Sequence, residues 1–376
     1  MAKSPKIAII TDWITDFGGQ SRVDLALHEA FPDAPIYTSV YEPDELAREH
    51  FAQLDIRTTW LQKLPKPLRK LQRLFPVLRV WAFRSLDLSE FDIIISSSSA
   101  ESKQVRKTRH NQIHICYCHT PIRYYWNNYR EYRKNPGFRW LNPLVRLAMP
   151  LFVPSQRRLD YQAAQNVDVF VANSTEVQRR IEHYYNQRAT VVHPPVSVER
   201  FEKLSRPRTK RAGYIALGRQ VPYKRIDLAV EACSDLGLPL TVLGSGPEHS
   251  TLVAKASENV EFVEGASDDA VASYLASSRG FIFPAHEDFG IVQVEALAAG
   301  TPVIAYAAGG SQDIVRDGEG GITFDEQSVE AIKAALKRAE TTSFEPKNLQ
   351  RVAKRFHKTL FINKLRKIVS DNTIRQ

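Results

Sequence analysis

Cysteine is scarce in this sequence, which has three cysteines in 376 residues. So few cysteines predict neither a disulfide framework nor a zinc site. Cys116 and Cys118 alternate along an apolar stretch and are therefore expected on one face of a strand. A reducing compartment fits this composition, so we expect a cytoplasmic protein.

Long hydrophobic runs are also absent. No apolar stretch is long enough to span a bilayer, and no signal peptide is recognisable at the start. These absences argue against an integral membrane protein and against a secreted one. The hydrophobic content of 43% and the charged content of 25% match an ordinary globular protein, and 376 residues suggest two domains.

Acidic residues are too few to balance the basic ones: 42 Asp and Glu stand against 51 Lys and Arg, for a formal net charge of +9. This excess permits nucleic acid, an anionic membrane or a polyanionic substrate as a partner. No nucleic-acid-binding motif accompanies the charge, so no nucleic-acid partner is expected. Part of the excess lies in residues 63–84, which contain no acidic residue. The basic residues of this segment are Lys63, Lys66, Arg69, Lys70, Arg73, Arg79 and Arg84.

Leucine and aromatic residues give residues 63–84 an apolar side as well. Such a segment can lie on an anionic membrane, at about 1 kcal/mol per basic residue near the surface. A solvated helix packed on its own domain is the alternative. Residues 138–152, also rich in leucine and aromatics, are a second candidate, and they could equally be core or a lid over an acceptor site. Peripheral attachment to the inner face of the cell membrane is therefore an open alternative to a plain cytoplasmic location.

Short apolar runs alternate with helical patterns in two blocks, which predicts an α/β protein with parallel sheets. The most informative block is residues 281–315. Here Phe281 to Phe283 predicts a buried strand, a polar loop follows, and a helix is expected from about Ile291 to a C-cap at Gly300. Another strand and the pair Gly309-Gly310 complete the block.

Two glutamates of this block are candidates for binding hydroxyl groups. Glu287 follows the strand at its carboxyl end, where ligands of open α/β sheets bind, and Glu295 lies in the next helix. Carboxylates accept paired hydrogen bonds from vicinal hydroxyls, which sugars and riboses present. The helix N-terminus near Gly290 and Ile291 offers free backbone N–H groups to an anion.

Three other strand ends carry candidate ligand groups. Gly18 and Gly19 lie between the first strand and the first helix, where glycine allows the backbone to approach a diphosphate. Arg219 and Lys224 follow a strand in the second half, where cations neutralise a diphosphate and stabilise it as a leaving group. His119 directly follows the strand at 113–118. It therefore lies at the carboxyl end of a strand, where ligands of open α/β sheets bind.

Glu287 and Glu295, with seven residues between them in EDFGIVQVEALAAGTPVIA, resemble the nucleotide-binding signature of the GT4-type retaining glycosyltransferases. The resemblance implies the GT-B fold, an α/β architecture of two Rossmann-like domains facing each other across a cleft. Residues 1–194 would form the N-terminal acceptor-side domain, and residues 195–355 the nucleotide-sugar-binding domain. Residues 356–376 would form a helix that crosses back to the first domain.

The resemblance also implies roles for the site residues. Glu287 would hold sugar hydroxyls and Glu295 the ribose, while Arg219 and Lys224 would take up charge on the departing diphosphate. The sequence contains no Asp-x-Asp, so no metal ion is expected, and no cofactor beyond the nucleotide-sugar donor. The complete donor site implied is Gly18, Gly19, Arg219, Lys224, Glu287, Phe289, Gly290, Ile291 and Glu295.

Residues 119–126, HTPIRYYW, resemble the HTPxRY-W segment of the O-antigen-type GDP-mannose-dependent mannosyltransferases within GT4. By this resemblance His119 is catalytic, together with Glu287, Arg219 and Lys224, and faces the reacting sugar. Arg123 and Ser99 would lie on the acceptor side. The chain departs from the family at three positions. Ser21 stands where the family usually has Glu, and Ser99 and Asn127 stand where the subgroup often has His and Asp.

The implied function is a retaining, metal-independent hexosyltransferase of polysaccharide biosynthesis. It would move mannose from GDP-mannose to a lipid-linked or membrane-associated glycan. The same fold using a UDP-sugar, such as glucose or N-acetylglucosamine, is the nearest alternative, and nucleotide preference would separate the two. A more remote alternative is a GT-B sugar epimerase, which would convert the donor with no acceptor present. A nucleotide-sugar sensor would bind the donor without turnover.

Overall fold

The computed structural model describes residues 5–69, 76–137 and 141–373. These residues form two compact units. The first comprises the chain up to His193 together with the residues from Phe361 onward, and the second comprises Pro194–Leu360. The last segment therefore joins the first unit from Phe361, five residues later than the division at 356 expected from the sequence.

The described strands of the first unit make one parallel sheet. They are β1 (Ile7–Thr11), β2 (Ile36–Thr38), β3 (Ile56–Thr58), β4 (Ile93–Ser98), β5 (Ile113–Cys118), β6 (Val169–Ala172) and β7 (Ala189–Val191). Their order across the sheet is β3-β2-β1-β4-β5-β6-β7. The helices that follow them are α1 (Gly19–Ala30), α2 (Glu45–Phe51), α3 (Lys66–Arg69), α4 (Pro76–Arg84), α5 (Tyr129–Lys134), α6 (Asn142–Gln165) and α7 (Thr175–Tyr185).

The described strands of the second unit make another parallel sheet. They are β8 (Tyr214–Leu217), β9 (Leu240–Leu243), β10 (Val260–Val263), β11 (Gly280–Phe283), β12 (Val303–Tyr306) and β13 (Gly321–Phe324), in the order β10-β9-β8-β11-β12-β13. Its helices are α8 (Val198–Glu202), α9 (Ile226–Leu236), α10 (His249–Lys255), α11 (Asp268–Ser277), α12 (Ile291–Ala298), α13 (Ser311–Ile314), α14 (Val329–Thr341) and α15 (Pro346–Ala353). The final helix is α16 (Lys358–Thr373).

Both faces of the first sheet are covered, which is why its strands are almost continuously apolar. Successive side chains of a strand point to opposite faces. Accordingly Ile93 and Ile95 of β4 belong to one buried cluster, and Ile94 belongs to another. Residues of α16 complete the first cluster, since Phe361 and Leu365 are buried in it. The predicted α/β class with parallel sheets is confirmed.

The cysteines also behave as the sequence predicts. Cys116 and Cys118 are buried on β5, Cys233 is buried in α9, and all three are free. Cys116 and Cys118 share one cluster of buried residues, as their spacing of two requires. They pack as small apolar side chains.

The strand orders locate the ligand-binding edge of each sheet. In the first sheet, β2 and β3 are added on one side of β1, and the strands from β4 onward are added on its other side, so the strand order reverses between β1 and β4. In the second sheet the strand order reverses between β8 and β11. Open α/β sheets bind ligands outside the carboxyl ends of the strands at such a switch point. The strands of the first switch end level, since Thr11 of β1 pairs with Ser97 of β4.

Candidate functional site

The switch point of the second unit joins two oppositely charged side chains. Lys224 lies in the loop that follows β8, and Glu287 in the loop that follows β11. Their Nζ and Oε1 atoms form an ion pair, and the two side chains are only 16% and 15% exposed. Arg219 lies in the same loop as Lys224 and is exposed. Three of the four predicted catalytic residues therefore lie on the two loops of one switch point.

The pair Gly309-Gly310 after β12 holds the loop that carries Glu287. The amide of Gly310 donates to the carbonyl oxygen of Glu287 at 2.8 Å. A Cβ on Gly309 would collide with that same carbonyl oxygen, and a Cβ on Gly310 would collide with Phe289. Any larger residue at either position would push the Glu287 loop away, which explains why two glycines close the motif.

Helix α12 starts at this loop. Its N-cap is Gly290, whose φ of +85° lies in the left-handed region that favours glycine. Ile291 is the first helical residue, so the free N–H groups of the helix N-terminus face the loop end. Glu295 lies in α12 and is only 3% exposed. Phe289 is a core residue that packs on Phe356 at 5.6 Å between ring centroids, so a donor contact by Phe289 would use its backbone.

The switch point of the first unit is built around a buried carboxylate, Asp12, which directly follows β1. Asp12 is 1% exposed and accepts hydrogen bonds from three backbone amides. The donors are the amides of Ser99 at 2.7 Å, Ala100 at 2.9 Å and Ser102 at 2.7 Å. Asp12 thereby fixes the loop after β4. Sequence reasoning missed Asp12, although a charged residue directly after an apolar strand was the signal for it.

Ser99, predicted on the acceptor side, belongs to this same arrangement. Its Oγ lies 2.9 Å from Asp12 Oδ2 and 2.8 Å from Gln20 Oε1. The Gln20 amide also reaches Thr11 Oγ1 at 3.0 Å. The Ser99 hydroxyl is thus engaged within its own unit, where it fixes the loop after β4.

Gly18 and Gly19 lie where α1 begins, and Gly19, which was expected to precede the helix, is its first residue. Gly18 is the N-cap, and its amide donates to Ser21 Oγ at 3.4 Å. Ser21 Oγ donates in turn to the carbonyl oxygen of Asp16 at 2.9 Å. The serine that replaces the usual family glutamate therefore fixes the conformation of its own loop.

His119 follows β5 and contacts the end of β4. Its Nε2 lies 2.8 Å from the Oγ of Ser97, and its ring meets the ring of Tyr117 edge-on at 5.2 Å between centroids. Its carbonyl oxygen accepts from Asn173 Nδ2 at 2.9 Å. The imidazole is therefore fixed on one side, and it remains partly exposed. Arg123 lies in the turn that follows and is also partly exposed.

A second buried acid of the first unit is Asp24 of α1, which is 1% exposed. Burial raises the pKa of Asp24 to about 7, while hydrogen bonds from Ser97 and Thr11 act in the opposite direction and the Asp12 charge adds to the rise. Thr11 Oγ1 donates to Asp24 Oδ2 at 2.7 Å. Thr11 at the end of β1 therefore contacts Asp24, and Ser97 of β4 contacts His119. Of these four residues, sequence reasoning named only His119 as a site residue.

Two family models match this chain. The one described as "Glycosyltransferase Family 4" matches residues 17–200, and the one described as "Glycosyl transferases group 1" matches residues 197–356. The chain belongs to the GT4 glycosyltransferases. The family predicted from the glutamate motif is thereby confirmed, and so is the GT-B fold class.

Curated relatives of this GT4 chain match it over part of their length. A D-inositol 3-phosphate glycosyltransferase of Nocardioides is 28% identical over 47% of this chain and 47% of its own. A GDP-mannose-dependent alpha-(1-6)-phosphatidylinositol monomannoside mannosyltransferase of Mycolicibacterium smegmatis is 28% identical over 49% of this chain and 56% of its own. The chain spans about half the length of the curated relatives it matches.

Solved structures match this GT4 chain over nearly its whole length. Sucrose-phosphate synthase of Thermosynechococcus elongatus aligns with a TM-score of 0.72 and 16% identity, over 99% of this chain and 100% of its own. Alr3699/HepE of Anabaena, solved in complex with UDP, aligns with a TM-score of 0.69 and 15% identity, over 97% and 100%. At these identities the likeness concerns the fold alone.

Proposed function

We propose that this GT4 chain is a retaining hexosyltransferase that moves mannose from GDP-mannose to a lipid-linked or membrane-associated glycan. The observation that carries the transferase activity is the Lys224–Glu287 ion pair at the switch point of the second sheet. A cation for a diphosphate and a carboxylate for sugar hydroxyls stand side by side there, next to the N-terminus of α12.

Donor binding would exchange the partners of this ion pair. The diphosphate would take the Lys224 ammonium, with Arg219 beside it, because phosphate oxygens accept strong charge-assisted hydrogen bonds. Glu287, freed from Lys224, would accept hydrogen bonds from the sugar hydroxyls. Lys224 and Arg219 would then stabilise the negative charge that grows on the diphosphate as it leaves. These groups supply the charge that a metal ion would otherwise supply, and metal independence is part of the proposal.

His119 would face the sugar in this scheme, oriented by Ser97. A fixed imidazole can hydrogen-bond a sugar hydroxyl without losing further side-chain freedom. Retention means that the acceptor oxygen attaches to the face of the sugar from which the diphosphate departs. NMR assignment of the anomeric configuration tests this stereochemistry, and an inverted product would contradict it. Activity in the presence of EDTA tests the metal independence.

Mannose as the transferred sugar is supported by the HTPIRYYW segment, and one relative carries a GDP-mannose-dependent mannosyltransferase name. A UDP-sugar of glucose or N-acetylglucosamine is the alternative donor. The contacts proposed for Lys224, Arg219 and Glu287 act on the diphosphate and the sugar, and they do not distinguish guanine from uracil. Nucleotide preference must therefore be measured.

A thermal-shift panel of GDP-mannose, GDP, UDP-glucose and UDP-N-acetylglucosamine makes this measurement. A ligand at a hundred times its dissociation constant adds about 2.7 kcal/mol to the free energy of unfolding, which gives a readable shift. We expect GDP-mannose and GDP to stabilise the chain and the uridine compounds to leave it unchanged. The Lys224→Ala variant should lose the shift. Lys255→Ala, which removes another Lys–Glu pair of the second unit, is the matched control. Stabilisation by the uridine compounds alone would contradict the choice of GDP-mannose.

Attachment to a membrane through residues 63–84 has limited support among the described residues. Arg79 is buried in an ion pair with Glu101 at 2.6 Å, Arg84 donates to Gln104 at 2.8 Å, and Arg69 contacts Glu42 at 3.1 Å. Lys63 and Lys66 are exposed, whereas Lys70 and Arg73 lie outside the described residues. No helix in the described part of the chain is both long and apolar enough to cross a bilayer.

A further inference from the structure

Helix α6 exposes a stripe of leucine side chains on its first half. Leu144, Leu147 and Leu151 are 64%, 73% and 83% exposed. Residues three and four apart on a helix are neighbours on one face, so these leucines form one continuous surface. Single exposed apolar residues are normal on a protein, but a contiguous apolar patch marks an interaction site.

The leucine stripe is separate from the face by which α6 attaches to its unit. The buried residues of α6 are Val153, Gln156, Asp160, Ala163 and Ala164. At roughly 100° per residue, they lie on the side of the helix opposite the leucines. Asp160 fixes that buried face, because it pairs with Lys103 at 2.6 Å and accepts from Trp126 Nε1 at 2.7 Å. The helix therefore has its own core face and a second apolar face that is largely exposed.

Basic side chains surround the same part of α6. An open cleft of about 1190 Å³ lies between α5 and the first half of α6. Residues 129–159 contain a single acidic residue, Glu131, against seven basic ones. The basic residues that line the cleft are Arg130, Arg133, Lys134, Arg146 and Arg157. Arg157 is fixed there by the rings of Trp126 and Tyr129, with centroids 5.4 and 5.0 Å away.

We propose that α5 and the first half of α6 form a surface that lies on an anionic lipid bilayer. The leucines would insert among the acyl chains, which removes their apolar area from water. The basic residues of the cleft would meet the lipid phosphates, to which they are complementary in charge. Self-association through this surface is disfavoured, because it would bring the two sets of arginines together. A nucleic acid would neutralise the arginines but would leave the leucines exposed.

This surface deepens the function proposed above, because it names where the protein would meet the membrane that carries its acceptor. The inference rests on the proposed function only where it links this surface to the acceptor. Lipid binding and donor binding can therefore be measured separately on the same full-length protein. Donor binding is read from the thermal shift with GDP-mannose, and lipid binding from vesicle flotation.

The test is flotation with vesicles of phosphatidylglycerol and phosphatidylcholine, compared with vesicles of phosphatidylcholine alone. We expect the chain to float with the anionic vesicles only. The triple variant Leu144→Gln, Leu147→Gln, Leu151→Gln should lose flotation by tenfold or more. Its matched control, Leu46→Gln, Leu204→Gln, Leu360→Gln, replaces three leucines exposed elsewhere and should float like the unmodified chain. The variant of the leucine stripe should keep the thermal unfolding temperature of the parent, because its three side chains are 64%, 73% and 83% exposed.

A charge variant, Arg130→Gln, Arg133→Gln, Lys134→Gln, measures the electrostatic contribution. Each basic side chain near an anionic surface contributes on the order of fivefold to binding, so the three together should lower it by more than tenfold. Binding of the unmodified chain should weaken with added salt for the same reason.

Three outcomes would overturn the membrane surface. The first is an unmodified chain that does not float with anionic vesicles. The second is a leucine variant that floats as well as its control, or flotation that disappears only in Lys63→Gln, Lys66→Gln. The third is an unmodified dimer that the leucine variant converts to a monomer, since the stripe would then pair two copies of the chain. A chain that floats without any donor shift would leave the surface standing and contradict the proposed function.

Discussion

The two switch points use charge in opposite ways. In the second unit, Lys224 and Glu287 neutralise each other in a partly exposed ion pair. In the first unit, Asp12 is buried and held by three backbone amides. The charges of an ion pair that a ligand can reach can exchange their partners for charged groups of that ligand, whereas a buried hydrogen-bonded carboxylate cannot be released without leaving donors unsatisfied. The edge of the second sheet therefore presents charged side chains that can pair with a ligand, and the edge of the first sheet holds a loop in a fixed conformation.

The largest effect is expected from a substitution of Asp12, the buried carboxylate of the first switch point. Asp12→Ala would leave buried amides of the loop after β4 without an acceptor, which should lower the free energy of unfolding by on the order of 4 kcal/mol. Urea denaturation measures this change. Asp12→Asn, which retains one acceptor oxygen, should recover part of the loss and keeps the test usable if the alanine variant does not fold. Asp33→Ala, at an exposed aspartate, is the control. A change within 1 kcal/mol for Asp12→Ala would contradict the structural role.

At the other switch point, the loss should appear in turnover and not in stability. Lys224→Ala should lower kcat/KM by roughly a hundredfold to a thousandfold, the usual result of removing a group that stabilises charge in the transition state. Steady-state kinetics with GDP-mannose measures it. Lys255→Ala should stay within about twofold of the parent, because an exposed ion pair contributes little. Equal losses in the two variants would argue against a specific role for Lys224.

Asp24 should make stability depend on pH in a recognisable direction. Its pKa is raised to about 7 in the folded chain, so the folded state binds a proton that the unfolded state releases. Stability from this group is therefore lost as pH rises through that range. Between about pH 5 and about pH 7, the free energy of unfolding of the parent should fall by about 2 kcal/mol relative to Asp24→Asn. Urea titrations at both pH values test this, with Asp33→Asn as control. Parallel pH profiles for parent and Asp24→Asn would contradict the buried, proton-binding carboxyl.

The smallest effect is expected at Ser97. Ser97→Ala removes the hydrogen bond to His119 without touching a ligand, so it should reduce kcat about tenfold and leave donor binding unchanged, a loss of about 1.4 kcal/mol. Ser97→Thr, which keeps the hydroxyl, should recover most of the activity. An unchanged kcat in Ser97→Ala would show that the orientation of His119 does not depend on this contact.

Patterns of apolar residues predicted those strands and helices that are long enough to show a periodicity. The strand Ile113–Cys118 lies where the sequence places it, β11 contains the predicted strand Phe281 to Phe283, and α12 starts at Ile291 as expected. The short strands β2 and β3 were not predicted, since three residues are too few to reveal an alternation.

The candidate site was predictable only where it is local in sequence. Arg219, Lys224, Glu287 and Glu295 lie in two short motifs. The Ser97–His119 contact brings together β4 and the residue that follows β5, and no spacing along the chain reveals it. The same limit applies to residues 63–84. A count of their charges could not show that Arg79 is neutralised by Glu101, because the fold alone brings those residues together.

The return of α16 to the first unit has a consequence for protein engineering. Phe361, Leu365 and Val369 fill part of the first unit's core, so that unit is assembled from two separate segments of chain. A fragment cut after His193 would lack these side chains and would expose the surface they cover. A chimera that exchanges the nucleotide-binding half between relatives should therefore graft Pro194–Leu360 as an insert with two junctions. A single crossover would pair each C-terminal helix with a foreign core.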